Sequence, residues 1–202
     1  MSKTHYVRAA FLTAFAVTAS LSFMSPAFAT TPTDGSKVVI DPGSGAAYYP
    51  GTSITAKPGD ILVTNSTSSS GLTGHAGIVV DYSGNVVSIA GSGYHPTKYS
   101  VSTWFSSYPH EKIVRHSNTS TAQSAANWAS SFVINYSYLD YSLSDLASPY
   151  KSTYCSKIVW DAYYYGANYT LPYYYDTFFG YNACAPYDLV GAPNTSTLYA
   201  NF

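Results

Sequence analysis

The hydrophobic period of this chain changes once, near residue 118, and that change constrains its fold more than any other feature. Upstream, short apolar runs are separated by turn-forming residues. They are Ile61 to Thr64 behind a Gly59-Asp60 turn, Ala76 to Val80 after a serine-, threonine- and glycine-rich loop, Val86 to Ala90 after Tyr82-Ser83-Gly84-Asn85, and Ile113 to Arg115. Runs this short, bounded by glycine and small polar residues, read as antiparallel strands joined by hairpins and loops, one of which holds Tyr94, His95 and Pro96. Downstream, Ala122, Ala125, Ala126, Ala129, Phe132 and Val133 recur at helical spacing, and Ser120 with Gln123 three positions on has the pattern of a capping box. A second helix is expected from near Ser152, with Cys155, Ile158, Val159 and Ala162 on one face and Gly166 placed to end it. Strands first and helices after specify an α+β domain, an antiparallel sheet followed by helices. The tyrosine-rich tail from Tyr169, broken by Pro172, Pro186 and Pro193, is expected to wrap the domain in short turns.

At 202 residues the chain suits one domain. Residues 1–29 read as a signal peptide: Lys3 and Arg8 precede an uncharged run from Ala9 to Phe23, and Ala27-Phe28-Ala29 offers small residues to a signal peptidase. Residues 30–57, rich in proline and glycine, are expected to be an extended entry segment with a short strand at Lys37 to Ile40, leaving 58–202 as the folded domain. Removing Lys3 and Arg8 leaves 7 basic and 10 acidic residues, so the mature chain is mildly acidic and has no basic field to hold nucleic acid. No later segment is apolar enough to span a bilayer, and a secreted or cell-envelope monomer is expected.

Two residues suggest chemistry. Cys155 falls in the first turn of the second expected helix, where unpaired amides and the helix dipole favour a thiolate and can hold an oxyanion. A cysteine on the apolar face of a helix is more often a small hydrophobe. His75 opens an apolar strand after a flexible loop, with Ala76 and Gly77 leaving room for another element to approach. A histidine at the mouth of a sheet, facing a cysteine at a helix start, is the arrangement that lets imidazole take a thiol proton. His95, His110 and His116 have no metal-ligand spacing around them, so neither a metal nor another cofactor is expected.

Four segments then converge in order: Gly59-Asp60-Ile61-Leu62, Gly74-His75-Ala76-Gly77-Ile78-Val79-Val80, Tyr154-Cys155-Ser156-Lys157-Ile158-Val159-Trp160 and Pro186-Tyr187-Asp188-Leu189. Together, over about residues 58 to 193, they resemble the NlpC-type cysteine hydrolases, and more closely their circularly permuted YiiX/YebB-like branch, in which the histidine strand precedes the cysteine helix. The resemblance implies a permuted papain-like α+β domain in which Cys155 attacks a carbonyl, His75 takes and returns the proton, and water releases the acyl group. It also implies a third polar residue on the strand after the histidine strand, which falls near Ser88. Serine departs from the usual glutamate, histidine or amide and would orient His75 weakly, leaving His95, or a Cys/His dyad without a third residue, as alternatives. Tyr154 is a further candidate for the oxyanion site.

The partner expected from the resemblance and the export signal is a cell-wall peptide or another acyl substrate. A lipid acyl hydrolase or acyltransferase on the same fold is the alternative within enzymes, and a non-catalytic wall-binding or surface protein the alternative outside them. A Cys155–Cys184 disulfide is permitted in an exported chain, and a free Cys184 is the preferred expectation. The clusters Tyr163-Tyr164-Tyr165, Tyr173-Tyr174-Tyr175 and Phe178-Phe179 read either as ordinary packing in a charge-poor protein or as an aromatic surface for glycan rings. Five Asn-X-Ser/Thr sequons, at Asn65, Asn118, Asn135, Asn168 and Asn194, are expected by chance in so serine- and threonine-rich a chain.

Overall fold

The computed structural model of the protein describes residues 38–67 and 73–202. The expected signal peptide, and Lys37 of the expected short strand, lie outside the described residues. Six strands form one antiparallel sheet: β1 (Ile61–Thr64), β2 (His75–Val79), β3 (Asn85–Ser88), β4 (Thr97–Ser100), β5 (Glu111–His116) and β8 (Thr195–Ala200). Their spatial order is β4-β3-β2-β1-β5-β8. Helix α1 (Val101–Ser107) follows β4, α2 (Thr119–Asn135) follows β5, and α3 (Cys155–Asp161) runs directly into a π-helical turn, Ala162–Gly166. Strands β6 (Tyr174–Asp176) and β7 (Tyr181–Ala183) pair as a separate hairpin, and a 3-10 turn at Pro186–Leu189 leads to β8. The protein is therefore α+β, as the change of period predicts. Among the described residues no helix is long and apolar enough to cross a membrane.

Alternation along the strands divides the interior in two, because successive side chains leave a strand on opposite faces. Ile61, Val63, Ala76, Ile78, Val87 and Val114 pack beneath α2 and α3, whereas Leu62, Val79, Val86 and Ile113 pack beneath α1 and the segment holding Ala47, Tyr49 and Ala56. Each fully buried aliphatic side chain contributes about 1.5–3 kcal/mol. Residues 38–57, the described part of the expected 30–57 entry segment, fold back on themselves through the bridges Ile40↔Ala47 and Tyr48↔Thr55, and Ala47, Tyr49 and Ala56 pack against Leu62, Val79, Val86 and Ile113 of the sheet.

The six apolar residues expected on one face of α2 are the six it buries. Its cap differs: Asn118 takes that place and accepts from the amide of Thr121 at 3.0 Å, so Ser120 already lies inside the helix. Helix α3 starts later than expected, with Tyr154 as N-cap and Cys155 as the first helical residue, not the third position after a Ser152 cap. Gly166 does not end α3 through a left-handed turn. An added Cβ there would lie 2.5 Å from Cβ of Trp128, so the glycine lets the π turn press against α2.

Two glycines of the shared motifs are required by geometry. Gly59 has φ +85°, and an added Cβ would stand 2.4 Å from the Ala122 carbonyl oxygen. Gly77 opens the β2 surface to the Trp104 ring, which an added Cβ would meet at 2.8 Å. Asp60 anchors the first motif by accepting from Tyr49 Oη at 2.6 Å, the Lys57 amide at 2.9 Å and Arg115 Nε at 2.7 Å.

Candidate active site

Cys155 and His75 reach the site from opposite faces of the sheet. Cys155 belongs to the α2/α3 side, while His75 shares its face with Gly77 and stacks on Trp104 of α1, with ring centroids 5.1 Å apart and planes 11° from parallel. At the end of β2 the amide of Ala76, the residue after His75, points at the Cys155 sulfur. The pairing of β2 with β3 covers only Ile78↔Val87 and Val79↔Val86, so the ladder has opened at that end. The amides of Cys155 and Ser156 also face the sulfur and, with Ala76, form a set of donors for negative charge.

Ser88 stands where a third residue is expected. Its Oγ lies 3.3 Å from His75 Nε2 and donates to the Ala76 carbonyl at 2.6 Å. Since that donation uses the one hydroxyl hydrogen, Ser88 can only accept from the ring, which assigns the proton to Nε2 and leaves Nδ1 as the basic nitrogen. His95 does not share this role: its Nδ1 faces the Leu139 carbonyl at 3.0 Å and Asp140 at 3.8 Å.

Both principal groups are neutral at rest. Burial pushes the Cys155 thiol up despite the amides around it, so the thiolate expected from the helix start alone is opposed by desolvation. Burial also lowers His75 to about 4. Burial thus keeps His75 unprotonated near neutral pH while weakening it as a base, and the two groups do not form a standing ion pair.

Sequence reasoning missed a second titratable group on the histidine face. Thr64 pairs with His75 on one side and with Glu111 on the other, which places three side chains in one row on three adjacent strands. Glu111 is fully buried, neither carboxyl oxygen has a hydrogen-bond partner, and burial raises the acid to about 9, opposed by the nearby Trp104 and Thr64. It is therefore a neutral acid near pH 7. The signal available was a glutamate opening an apolar strand, and only register reveals that it faces inward.

A cavity of about 300 Å³ opens at Cys155. Its walls include Tyr141, Leu143, Tyr154, Tyr174, Phe179 and Tyr187, and among the described residues Asp176 is the one carboxylate lining it. Tyr154 lines this cavity, and its Oη accepts from the Cys184 amide at 3.2 Å, which fixes the oxygen and leaves the hydroxyl hydrogen to donate. Ser156 fixes the same segment by donating to the Cys184 carbonyl at 2.7 Å. Cys155 and Cys184 are both buried free thiols, with no disulfide between them.

Residues 34–186 match the family described as lipoprotein N-acylation protein LnsA-like, and the chain belongs to that family. Among curated proteins it is 32% identical over 124 residues to an uncharacterized 30.3 kDa protein of Bacillus thuringiensis, covering 56% of this chain. The match spans 46% of that relative, about half its length. Among solved structures it is similar to the metalloprotein YiiX of Escherichia coli O157:H7, with a TM-score of 0.56 at 15% identity, covering 72% of this chain and 98% of the other. That likeness establishes a YiiX-like fold. The metal in that description belongs to that protein: among the described residues here, no group of three or more His, Cys, Asp or Glu is placed to hold an ion.

Proposed function

We propose that the protein is a cysteine-dependent acyl-transfer enzyme of the permuted NlpC type, exported after removal of residues 1–29, and that its acyl donor is a lipid. The observation that carries this reading is the placement of Cys155. It is the first residue of a helix, it faces the backbone amide next to His75, and it opens into an aromatic-walled cavity. As Cys155 Sγ bonds to the ester carbonyl carbon, His75 Nδ1 takes the thiol proton and the amides of Ala76, Cys155 and Ser156 stabilise the oxyanion. The carbonyl re-forms, the C–O bond to the alcohol breaks, and His75 returns the proton to the departing oxygen. Water or an amine then attacks the thioester, His75 removes its proton, and the thiol is regenerated.

Two observations favour a lipid over a wall peptide. The family description concerns lipoprotein acylation, and among the described residues no lysine or arginine lines the cavity to meet the carboxylates of a wall peptide. An apolar chain, by contrast, gains about 0.8 kcal/mol per buried methylene in such walls. The test compares fatty acid released from phospholipid esters with diaminopimelate-containing peptide released from purified walls. Fatty acid release that vanishes in Cys155→Ala and His75→Ala supports the lipid reading. Peptide release alone overturns the choice of substrate. A lack of turnover on either, with wall binding that survives Cys155→Ala, overturns the enzyme reading in favour of a surface-binding protein.

A further inference from the structure

The β6–β7 hairpin is the most apolar exposed feature beside the site. Phe178 is 88% exposed, Tyr175 61% and Phe179 46%, all on one short hairpin, with Leu143 at 48% on the cavity wall shared with Phe179. The segment 142–146 is tied to this hairpin through the Leu146 amide, which donates to the Asn182 carbonyl at 3.1 Å. Large side chains left so exposed at one place mark an interaction surface.

The backbone of the tip is prepared for an apolar medium. Asp176 Oδ1 accepts from the amides of Phe178 at 2.9 Å and Phe179 at 3.0 Å, and the Asp176 carbonyl accepts from the Gly180 amide at 2.8 Å. Those three donors carry no unmet bond into a medium without water, where an unsatisfied amide is expensive. The two phenylalanine rings stand at 88° to each other, so they make a wedge and not the flat platform that stacks on a sugar ring. Phenylalanine also lacks a hydroxyl for a glycan.

We propose that this hairpin is an interfacial wedge that seats the protein on a zwitterionic lipid bilayer, with the Cys155 cavity opening onto the lipid beside it; this rests on the lipid reading of the site. Continuity with the cavity selects the partner, because Phe179 belongs both to the exposed tip and to the cavity wall. An acyl chain can pass from the interface to the sulfur along the wall formed by Phe179, Tyr174 and Tyr154. Charge selects the lipid class. From Tyr173 to Tyr187 the chain holds Asp176 and no lysine or arginine, so nothing there draws an anionic surface. Binding then depends on ring insertion and is weak and reversible.

The test is co-sedimentation of the mature protein with phosphatidylcholine vesicles, wild type against Phe178→Asp. The wedge predicts binding that persists at about 0.5 M salt and falls about tenfold or more in the variant. Phe178→Trp, at the same exposed position, should shift its fluorescence to the blue on adding vesicles. Phe178→Asp should keep wild-type turnover of a water-soluble short-chain ester while losing turnover of vesicular ester. Equal sedimentation of the two proteins, binding that requires phosphatidylglycerol, or binding to insoluble wall glycan in place of vesicles would each overturn the wedge. Wild-type protein that sediments with vesicles through Phe178 yet hydrolyses no ester would leave the wedge standing and sink the proposed chemistry instead.

Discussion

The two faces of the central sheet are both dry, but they are built for different purposes. Beneath α2 and α3, the strand residues in contact are aliphatic or alanine, and the helices supply Ala125, Ala129, Phe132, Ile158 and Val159. Beneath α1, aliphatic residues alternate with His75, Ser88, Thr64, Glu111 and the Asp60–Arg115 pair. The first face is filled by volume and gains stability. The second retains a neutral histidine and a neutral carboxylic acid, each stripped of water, where apolar residues would be cheaper. Polar groups kept at such a cost are a signature of a working site. Cys155 is delivered by the first face and lies at the open end of β2, where the Ala76 amide, next to His75 of the second face, points at its sulfur.

The sharpest way to break this comparison is to remove the group that each face contributes to the proposed chemistry. Cys155→Ala and His75→Ala are each expected to reduce acyl turnover by about a thousandfold or more, equivalent to about 4 kcal/mol of barrier. Circular dichroism should remain that of the folded chain. Unfolding of both variants would instead mark these residues as structural.

The helical face has its own exception in the fully buried pair Lys157–Asp161, one turn apart on α3 with Nζ 2.6 Å from Oδ2. Burial and pairing compete there, lowering Lys157 and raising Asp161 to about 7. Lys157→Ala should cost about 3–5 kcal/mol in urea unfolding by stranding the carboxyl, whereas Lys157→Met with Asp161→Leu should be near neutral. Equal losses in the single and double variants would show that the pair itself is stabilising.

The polar face should reveal itself through pH. Folded His75 binds its proton only near pH 4, whereas the unfolded chain binds it near 6.5. Its contribution is therefore present above 6.5 and lost as pH falls to 4, about 3 kcal/mol in all. Glu111 has the opposite sign. Its folded carboxyl holds a proton up to about 9, so its contribution is present below 4.5 and lost as pH rises through that range. Unfolding free energies at several pH values should lose the acid-side slope in His75→Gln and the alkaline-side slope in Glu111→Gln. Slopes unchanged by either substitution would show that these groups are not buried as described.

The smallest expected effect concerns Ser88. Its contact with Nε2 is a long hydrogen bond of 3.3 Å between neutral groups, so Ser88→Ala should lower turnover by only about tenfold. Ser88→Asn, which supplies an amide oxygen to accept from Nε2, should restore or raise it. A thousandfold loss in Ser88→Ala would assign that hydroxyl more than orientation.

The parts of the fold legible in the sequence are those whose apolar spacing follows one period over several turns or a whole strand. Strands β1, β2, β3 and β5 and the buried face of α2 satisfy that condition. Strand β4 and α1 do not, because Thr97 to Ser107 mixes β-branched, aromatic and serine residues with no sustained period, and the segment reads as loop. Helix α1 is nonetheless fixed by Ser100, which accepts from the Thr103 amide, and by Trp104 seated in the space above Gly77. Strand β8 hides in the tail because it lies at the sheet edge with mostly exposed side chains and lacks a buried alternation. For the site, residue types and their place in the expected elements point to His75 and Cys155, and the family resemblance points to the position of Ser88. They did not reveal that burial opposes the helix start at Cys155, nor that Glu111 joins the row of His75, because desolvation and register exist only once the sheet has formed.

The central claim is that an acyl group passes through the Cys155 sulfur. The most direct measurement is intact-protein mass spectrometry with peptide mapping, on mature protein mixed with a phospholipid ester and quenched in acid within one turnover. The account predicts a mass increase of one acyl chain, mapped to Cys155, labile to hydroxylamine, and missing from both Cys155→Ala and His75→Ala. Turnover without any adduct, or an adduct on Cys184 that survives Cys155→Ala, would contradict it.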